Sequence, residues 1–195
     1  SSLLQGSIVK TQDLTYPLYH ITLSNLMIDG KSVKLANYNQ KQFMQKADLL
    51  IAAELSGISQ EVLDKTVEYA KERKQFGVPI GKFQAVKHMI ADMYVYNESM
   101  DVSVRYGAWA IENEGEDHEI VSKIAKAYSL DAIIPTIENG IQVHGGVGVT
   151  WEHDLHLYLK RAYRLSFMSD TLYSERKIIV NHLYEKVLDK SKIVN

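Results

Sequence analysis

The chain has 195 residues, of which 46% are hydrophobic and 24% charged, so it has room for one good core and excludes a disordered or fibrous protein. Its formal net charge of -2, with acidic and basic residues interspersed, offers no sustained Lys/Arg face to nucleic acid or anionic lipid. Cysteine is absent, which excludes disulfides, thiolate metal sites and cysteine nucleophiles, and fits a cytoplasmic setting; no apolar run reaches the roughly 20 residues of a membrane span.

From Gly6 to about Leu35 the residues alternate and are rich in Thr, Tyr, Ile and Val, with Asp29-Gly30 as a turn signal. Two or three short strands are predicted. A ribbon of that size is marginal alone, so residues 1–37 read as the remnant of a larger β-domain, and a start inside such a domain reads as truncation. After Asn37 the period changes. Phe43, Ala47, Leu50, Ile51, Leu55, Ile58, Val62 and Tyr69 follow three- and four-residue spacings, predicting a helix to about Lys74. Gly77-Val78-Pro79 breaks it, and a second helix runs from about Lys82 to Glu112 with Met89, Met93, Tyr96, Met100 and Val104 on one face. Tyr94 is also taken as core. A third helix spans about His118 to Val143, with Pro135 kinking it or starting a new turn. The rest, from Glu152 to about Lys190, reads as one or two helices with Asp154, Asp170 or Thr171 as N-caps. Long helices with short connections predict a mainly α fold: an antiparallel four-helix up-and-down bundle over residues 38–195, preceded by the short β segment.

Periodicity supplies only a scaffold, so chemistry is sought where helices break. At the first break, Arg73-Lys74-Gln75-Phe76-Gly77 with Phe83-Gln84, an arginine fork and a flat ring suit a phosphate-bearing ligand. The same residues also read as an ordinary helix C-cap. At the second break, Gln142-Val143-His144-Gly145-Gly146-Val147-Gly148, glycines allow close approach and free N–H groups suit an anion, but the pattern is neither a Walker loop nor a dinucleotide fingerprint. His153 and His156 lie three apart, not at the spacing of a zinc helix, and read as a polar helix start; no metal is expected. Lys160, Arg161 and Arg164 read as a solvated or interface face.

Taken together, Arg73-Lys74-Gln75-Phe76-Gly77, Phe83-Gln84, Ala91-Asp92-Met93, Ala125-Lys126, Gln142-Val143-His144-Gly145-Gly146-Val147-Gly148 and Lys160-Arg161-Ala162 resemble acyl-CoA dehydrogenases in order and spacing. The resemblance covers the C-terminal helical domain from about Gln42 onward. Asp13-Leu14-Thr15-Tyr16 through Leu26 is similar to the last strands of that family's middle β-domain.

The resemblance implies an FAD-dependent oxidoreductase of fatty acid metabolism. In such enzymes a carboxylate removes the α-proton of an acyl-CoA and the β-hydrogen passes as hydride to FAD. It implies that Arg73, Phe76, Gln84, Gln142, Gly145 and Gly146 reach the FAD of a neighbouring subunit. It also implies a homo- or hetero-oligomer, typically a homotetramer arranged as a dimer of dimers, and an electron-acceptor flavoprotein as partner. The family commonly carries its base, a Glu followed by Gly, about nine residues after the arginine matching Arg161; that count lands on Asp170, followed by Thr171, a shorter carboxylate whose other reading, as N-cap of the last helix, is slightly favoured. Some members carry the base on the first bundle helix, in the column of Ala47, and the next column, commonly Arg, is Asp48. Mixed tetramers with one base-less subunit also occur, so a non-catalytic partner or assembly module is the alternative. By itself the chain is expected to be incomplete and inactive.

Overall fold

The computed structural model describes residues 4–23, 38–115, 118, 120–168 and 172–193. At the N-terminus β1 (Leu4–Val9) pairs antiparallel with β2 (Leu18–Leu23), in a register that sets Gly6 opposite Ile21. The Asp29-Gly30 turn, any third strand, Asp170 and Thr171 lie outside the described residues.

Among the described residues five α-helices follow: α1 (Gln40–Glu72), α2 (Gln84–Glu112), α3 (Val121–His144), α4 (Leu155–Ser166) and α5 (Leu172–Ile193). They form the predicted antiparallel bundle, with the fourth segment divided in two after Ser166. Asn39 starts α1, its side-chain oxygen accepting the Gln42 N–H at 3.2 Å, which satisfies one of the orphan donors of a helix start. Pro135 does not begin a new element; α3 continues through it. Asp154 stands at the N-cap of α4 but makes no capping bond there, and its carboxylate lies 3.9 Å from Lys65.

Leu55, Ile58 and Val62 of α1, Met93 of α2, Ile133 and Ile137 of α3, and Leu155 and Leu165 of α4 form the main core. Two expectations change. Tyr94 is 54% exposed because it lies off the stripe of Met93, Asn97 and Met100 that faces the bundle. Phe43 and Leu50 keep helical spacing but are 57% and 70% exposed, since their side of α1 opens onto a cavity.

Inside this apolar packing lies a four-charge ring. The Lys126 Nζ donates to Asp48 Oδ1 at 2.8 Å and to Glu175 Oε1 at 2.6 Å. Lys123 Nζ donates to the other oxygens of the same carboxylates, at 3.0 and 2.9 Å. Asp48, Lys126 and Glu175 are essentially fully buried, and they join α1, α3 and α5. Lys123 loses hydration, which opposes its charge, but the bonds it donates to Glu175 and Asp48 outweigh this and raise its pKa. Two cations against two anions leave no net charge to bury.

A second ionic joint ties the β segment to the bundle. Asp13 is held by Arg161 Nε at 2.8 Å and faces Arg164 at 3.7 Å, while Arg161 also donates to Glu54 at 2.7 Å. Burial alone would raise the Asp13 pKa, yet the Thr15 hydrogen bonds and the Arg161 charge bring it below the usual range. The Arg164 guanidinium lies 3.9 Å from the centre of the Tyr16 ring. Arg161 and Arg164 are therefore interface residues.

Glu175→Ala should leave the buried Lys126 and the partly buried Lys123 sharing one carboxylate, destabilising the bundle by about 3–5 kcal/mol. At about 2–4 °C per kcal/mol for a chain of this size, thermal unfolding followed by circular dichroism should drop by on the order of 10 °C. Asp131→Ala, which breaks the exposed pair with Arg176, should shift it by no more than a degree or two.

Candidate cofactor-facing end of the bundle

Both helix breaks lie at one end of the bundle. Ala70 near the end of α1, Ile80 beyond the first break and Val143 at the end of α3 form a small buried cluster, with Tyr69, Val86 and Met89 packed on it. Tyr69 Oη also donates to the His144 carbonyl at 3.4 Å, and the two rings stack with centroids 4.2 Å apart.

The first break is a miniature hairpin. Helix α1 ends at Arg73, which is extended (φ -67°, ψ 122°), so Gly77 does not supply a left-handed helix cap. Instead β3 (Lys74–Gln75) pairs antiparallel with β4 (Val78–Pro79), and Phe76 and Gly77 form the two-residue connection with φ of 52° and 78°. Positive φ at both positions matches the twist of a tight hairpin. Glycine takes this at little cost, but a bulky residue there stores about 1–3 kcal/mol. The ring on this strained backbone is nonetheless 92% exposed, standing near-perpendicular to that of Phe83 with centroids 6.2 Å apart. The hairpin is closed by Ile80 N–H donating to the Arg73 carbonyl at 2.8 Å.

After a short 3-10 turn at Ile80–Lys82, α2 starts with Phe83 as N-cap, a side chain that cannot accept from the first N–H groups, and its first turn has no acidic residue. The exposed Gln84 thus sits on a helix N-terminus whose partial positive charge is uncompensated by its own helix. At the second break Gln142 is exposed on the last turn of α3, and Gly145 terminates it at φ 63° with its N–H donating to the Gln142 and Ile141 carbonyls. A β-carbon at Gly145 or Gly146 would meet nothing within 4 Å, so this backbone is open to an approaching group. Arg73, Phe76, Gln84, Gln142, Gly145 and Gly146 are all exposed around the same bundle end. Such a set offers a guanidinium, a flat ring, an amide pair and bare backbone, the chemistry that suits a nucleotide with phosphates.

His144 supports the glycine turn from below. Its Nδ1 is 2.8 Å from the Gly140 carbonyl, and its ring lies 4.5 Å from that of His153. Burial lowers its pKa, the Gly140 bond opposes this, and the His153 and Lys65 charges lower it further. Among the described residues no group of three His, Cys, Asp or Glu side chains converges as a metal site would require. No described helix is long and apolar enough to cross a membrane.

Among the described residues, a cavity of about 590 Å³ lies at the opposite end, between the start of α1 and the end of α2, among Lys41, Gln42, Gln45, Glu112 and His118. Another, about 360 Å³, opens between α1 and the end of α4 and includes Ala47, Asp48, Leu165 and Met168. Asp48 thus stands beside Ala47 as the sequence resemblance aligned it, but its carboxylate is engaged by two lysines. That engagement, the hairpin and the Tyr69–His144 stack were not anticipated. Lys123 and Lys126, three apart and so on one face of α3, were the available signal.

Comparison with known proteins agrees with this architecture. The model of the acyl-CoA dehydrogenase C-terminal domain matches residues 37–183. The acyl-CoA dehydrogenase FadE34 of Mycobacterium tuberculosis is 38% identical over 146 residues, covering 74% of this chain and 20% of that protein. The acyl-CoA dehydrogenase IpdE2 of the same organism is 44% identical over 117 residues, 60% of this chain and 35% of that protein. Among solved structures, the ChsE4-ChsE5 complex from Mycobacterium tuberculosis superposes with a TM-score of 0.77 at 26% identity, over 94% of this chain and 50% of that one. The fold is thus that of a flavoenzyme C-terminal helical domain. The chain belongs to the acyl-CoA dehydrogenase family, and it spans a fifth to a third of the length of these curated relatives.

The sign of the His144 effect follows from its lowered pKa. The folded state favours the neutral ring, so on acidification the unfolded state takes up the proton first. The contribution is neutral above the ordinary histidine value of about 6.5, and stability falls as pH drops below it toward the folded-state pKa. Unfolding midpoints in denaturant should therefore decline between about pH 7 and pH 5, and His144→Asn should flatten that decline. Equal slopes for both proteins would remove His144 as its source.

Proposed function

We propose that the chain is the C-terminal helical part of an FAD-dependent acyl-CoA dehydrogenase that catalyses α,β-dehydrogenation of an acyl-CoA thioester, with residues 1–37 closing its middle β-domain. The observation that carries this proposal is the strained, uncovered Phe76 beside an uncapped helix start and an open glycine turn, in a chain of this family. A side chain held in an unfavourable conformation and left in water is accounted for by a ligand that covers it.

The residues present fit FAD. Arg73 would pair with the pyrophosphate, Phe76 would cover an apolar ring face, and Gln84, Gln142, Gly145 and Gly146 would supply amide and backbone hydrogen bonds. Bound FAD supplies the acceptor for the substrate β-hydrogen as hydride.

Geometry also argues for an oligomer. From Ile51, beside the 360 Å³ cavity, to Arg73 is 22 residues of nearly continuous helix. At about 1.5 Å per residue that is about 33 Å, too far for one dinucleotide to serve both. The Arg73 end then completes the FAD site of a neighbouring subunit, while the cavity near Ala47 takes the acyl group of its own site. Asp170, two residues beyond Met168 in the sequence, is the candidate base for the α-proton. Ala47 cannot take a proton, and Asp48 is neutralised by Lys123 and Lys126. An electron-acceptor flavoprotein would reoxidise the complex.

The flavin absorbance between about 300 and 500 nm, measured with the mass in solution, tests the cofactor assignment. The assembled protein should bind FAD, Arg73→Ala should weaken that binding by tenfold or more, and Phe76→Gly should weaken it while leaving stability unchanged or raised by up to about 1 kcal/mol. A colourless oligomer that ignores added FAD would reject it.

Turnover tests the base. Asp170→Ala should lower kcat by at least a hundredfold with an acyl-CoA and an artificial electron acceptor. Unchanged turnover in a mixed complex would instead make this chain a non-catalytic partner subunit, a role the pairing of two proteins in the ChsE4-ChsE5 structure makes specific.

A further inference from the structure

Two cavities lie back to back on α1. The one of about 360 Å³ faces α4. The other, about 210 Å³, faces α3 and α5 and includes Ile120, Lys123, Ile178 and His182. Met44 and Asp48, one helical turn apart, line both and so form the partition between them.

The two halves of this partition differ physically. Asp48 is fixed, because moving it would break contacts among buried charges whose separation is costly. Its lysine partners also cancel the charge that would otherwise repel an apolar group from the wall. Met44 is partly exposed, unbranched and flexible, and it is the half that can yield to a change of side chain. Between them Ala47 is small, and its missing bulk provides width on the α4 side. At about 360 Å³ the space lies in the range of ligand sites, and joined to its neighbour it would hold a substantially larger group.

We propose that Met44 and the ion-paired Asp48 set the upper size limit of the acyl group, and that Ala47 sets its width. The inference rests on the assignment of the first cavity to the acyl group. It names specificity-determining residues, none of which exchanges a proton or hydride.

The test uses the assembled FAD-containing oligomer with a graded series of thioesters: short straight-chain, long straight-chain and multi-ring acyl-CoA. Both kcat/KM and calorimetric affinity are measured. Met44→Ala should raise the preference for the largest acyl groups over the short ones by about tenfold or more, the scale of a methylene-sized change in an apolar pocket. Ala47→Leu should lose the multi-ring substrate first. Asp48→Asn combined with Lys123→Met keeps the Lys126–Glu175 pair and should shift preference in the same direction as Met44→Ala. If the parent turns over but no variant alters the preference, the partition has no role in selection and the dehydrogenase assignment stands. If the parent turns over no thioester, that assignment fails, and the calorimetric preferences of the variants still decide the partition: a shift supports it and no shift overturns it.

Discussion

The ring of Asp48, Lys123, Lys126 and Glu175 is the constraint on which the rest of the architecture hangs. Apolar packing brings α1, α2, α3 and α4 together without choosing a unique axial alignment, because neighbouring aliphatic side chains can slide past one another with modest loss. Buried charges cannot. Each ammonium must meet two carboxylate oxygens at 2.6–3.0 Å or remain uncompensated, so only one alignment of α1, α3 and α5 is tolerated. Through that alignment the ring also fixes the start of α5 and the wall between the two cavities on α1.

A different economy governs the far end of α1. There the chain keeps a phenylalanine in a left-handed turn and leaves it uncovered, although glycine would relieve the strain. The buried Ala70–Ile80–Val143 cluster and the Tyr69–His144 stack hold the surrounding backbone, so the turn does not relax. The buried charges lie toward one end of the bundle and the uncovered Phe76 turn at the other, the division expected when a fold must present a surface it does not cover itself.

Most of the helical framework was legible in the sequence, because a 3.6-residue stripe such as Leu55, Ile58 and Val62 reports a buried face whatever lies opposite. Helix α1 ends within two residues of expectation, at Glu72, and α2 begins two residues after it, at Gln84. What escaped depends on partners distant along the chain. The ring links position 48 to 123 and 126 and then to 175, and charged residues read singly look like surface. The hairpin at Lys74–Pro79 was hidden because Arg followed by Gly also describes a helix cap. Phe43 and Leu50 obey the stripe and yet face open space, since periodicity marks a surface as apolar without saying what covers it. For the candidate site, residue types and order were readable, but their gathering at one bundle end came from the packing of Ala70, Ile80 and Val143.

The two ionic assemblies differ in their access to water, and so in what dissolved salt can do to them. Asp48, Lys126 and Glu175 of the ring are buried away from mobile ions, so its attraction depends little on ionic strength. The Arg161 joint includes the more open Glu54, and it binds the N-terminal ribbon to the helices partly across the surface. Counterions that shorten the screening length to about 8 Å at physiological salt, and further above it, weaken this joint first. The fold thereby contains a salt-sensitive seam next to a salt-insensitive clasp, and changes in ionic strength act on how the ribbon rests on the bundle before they act on the bundle itself.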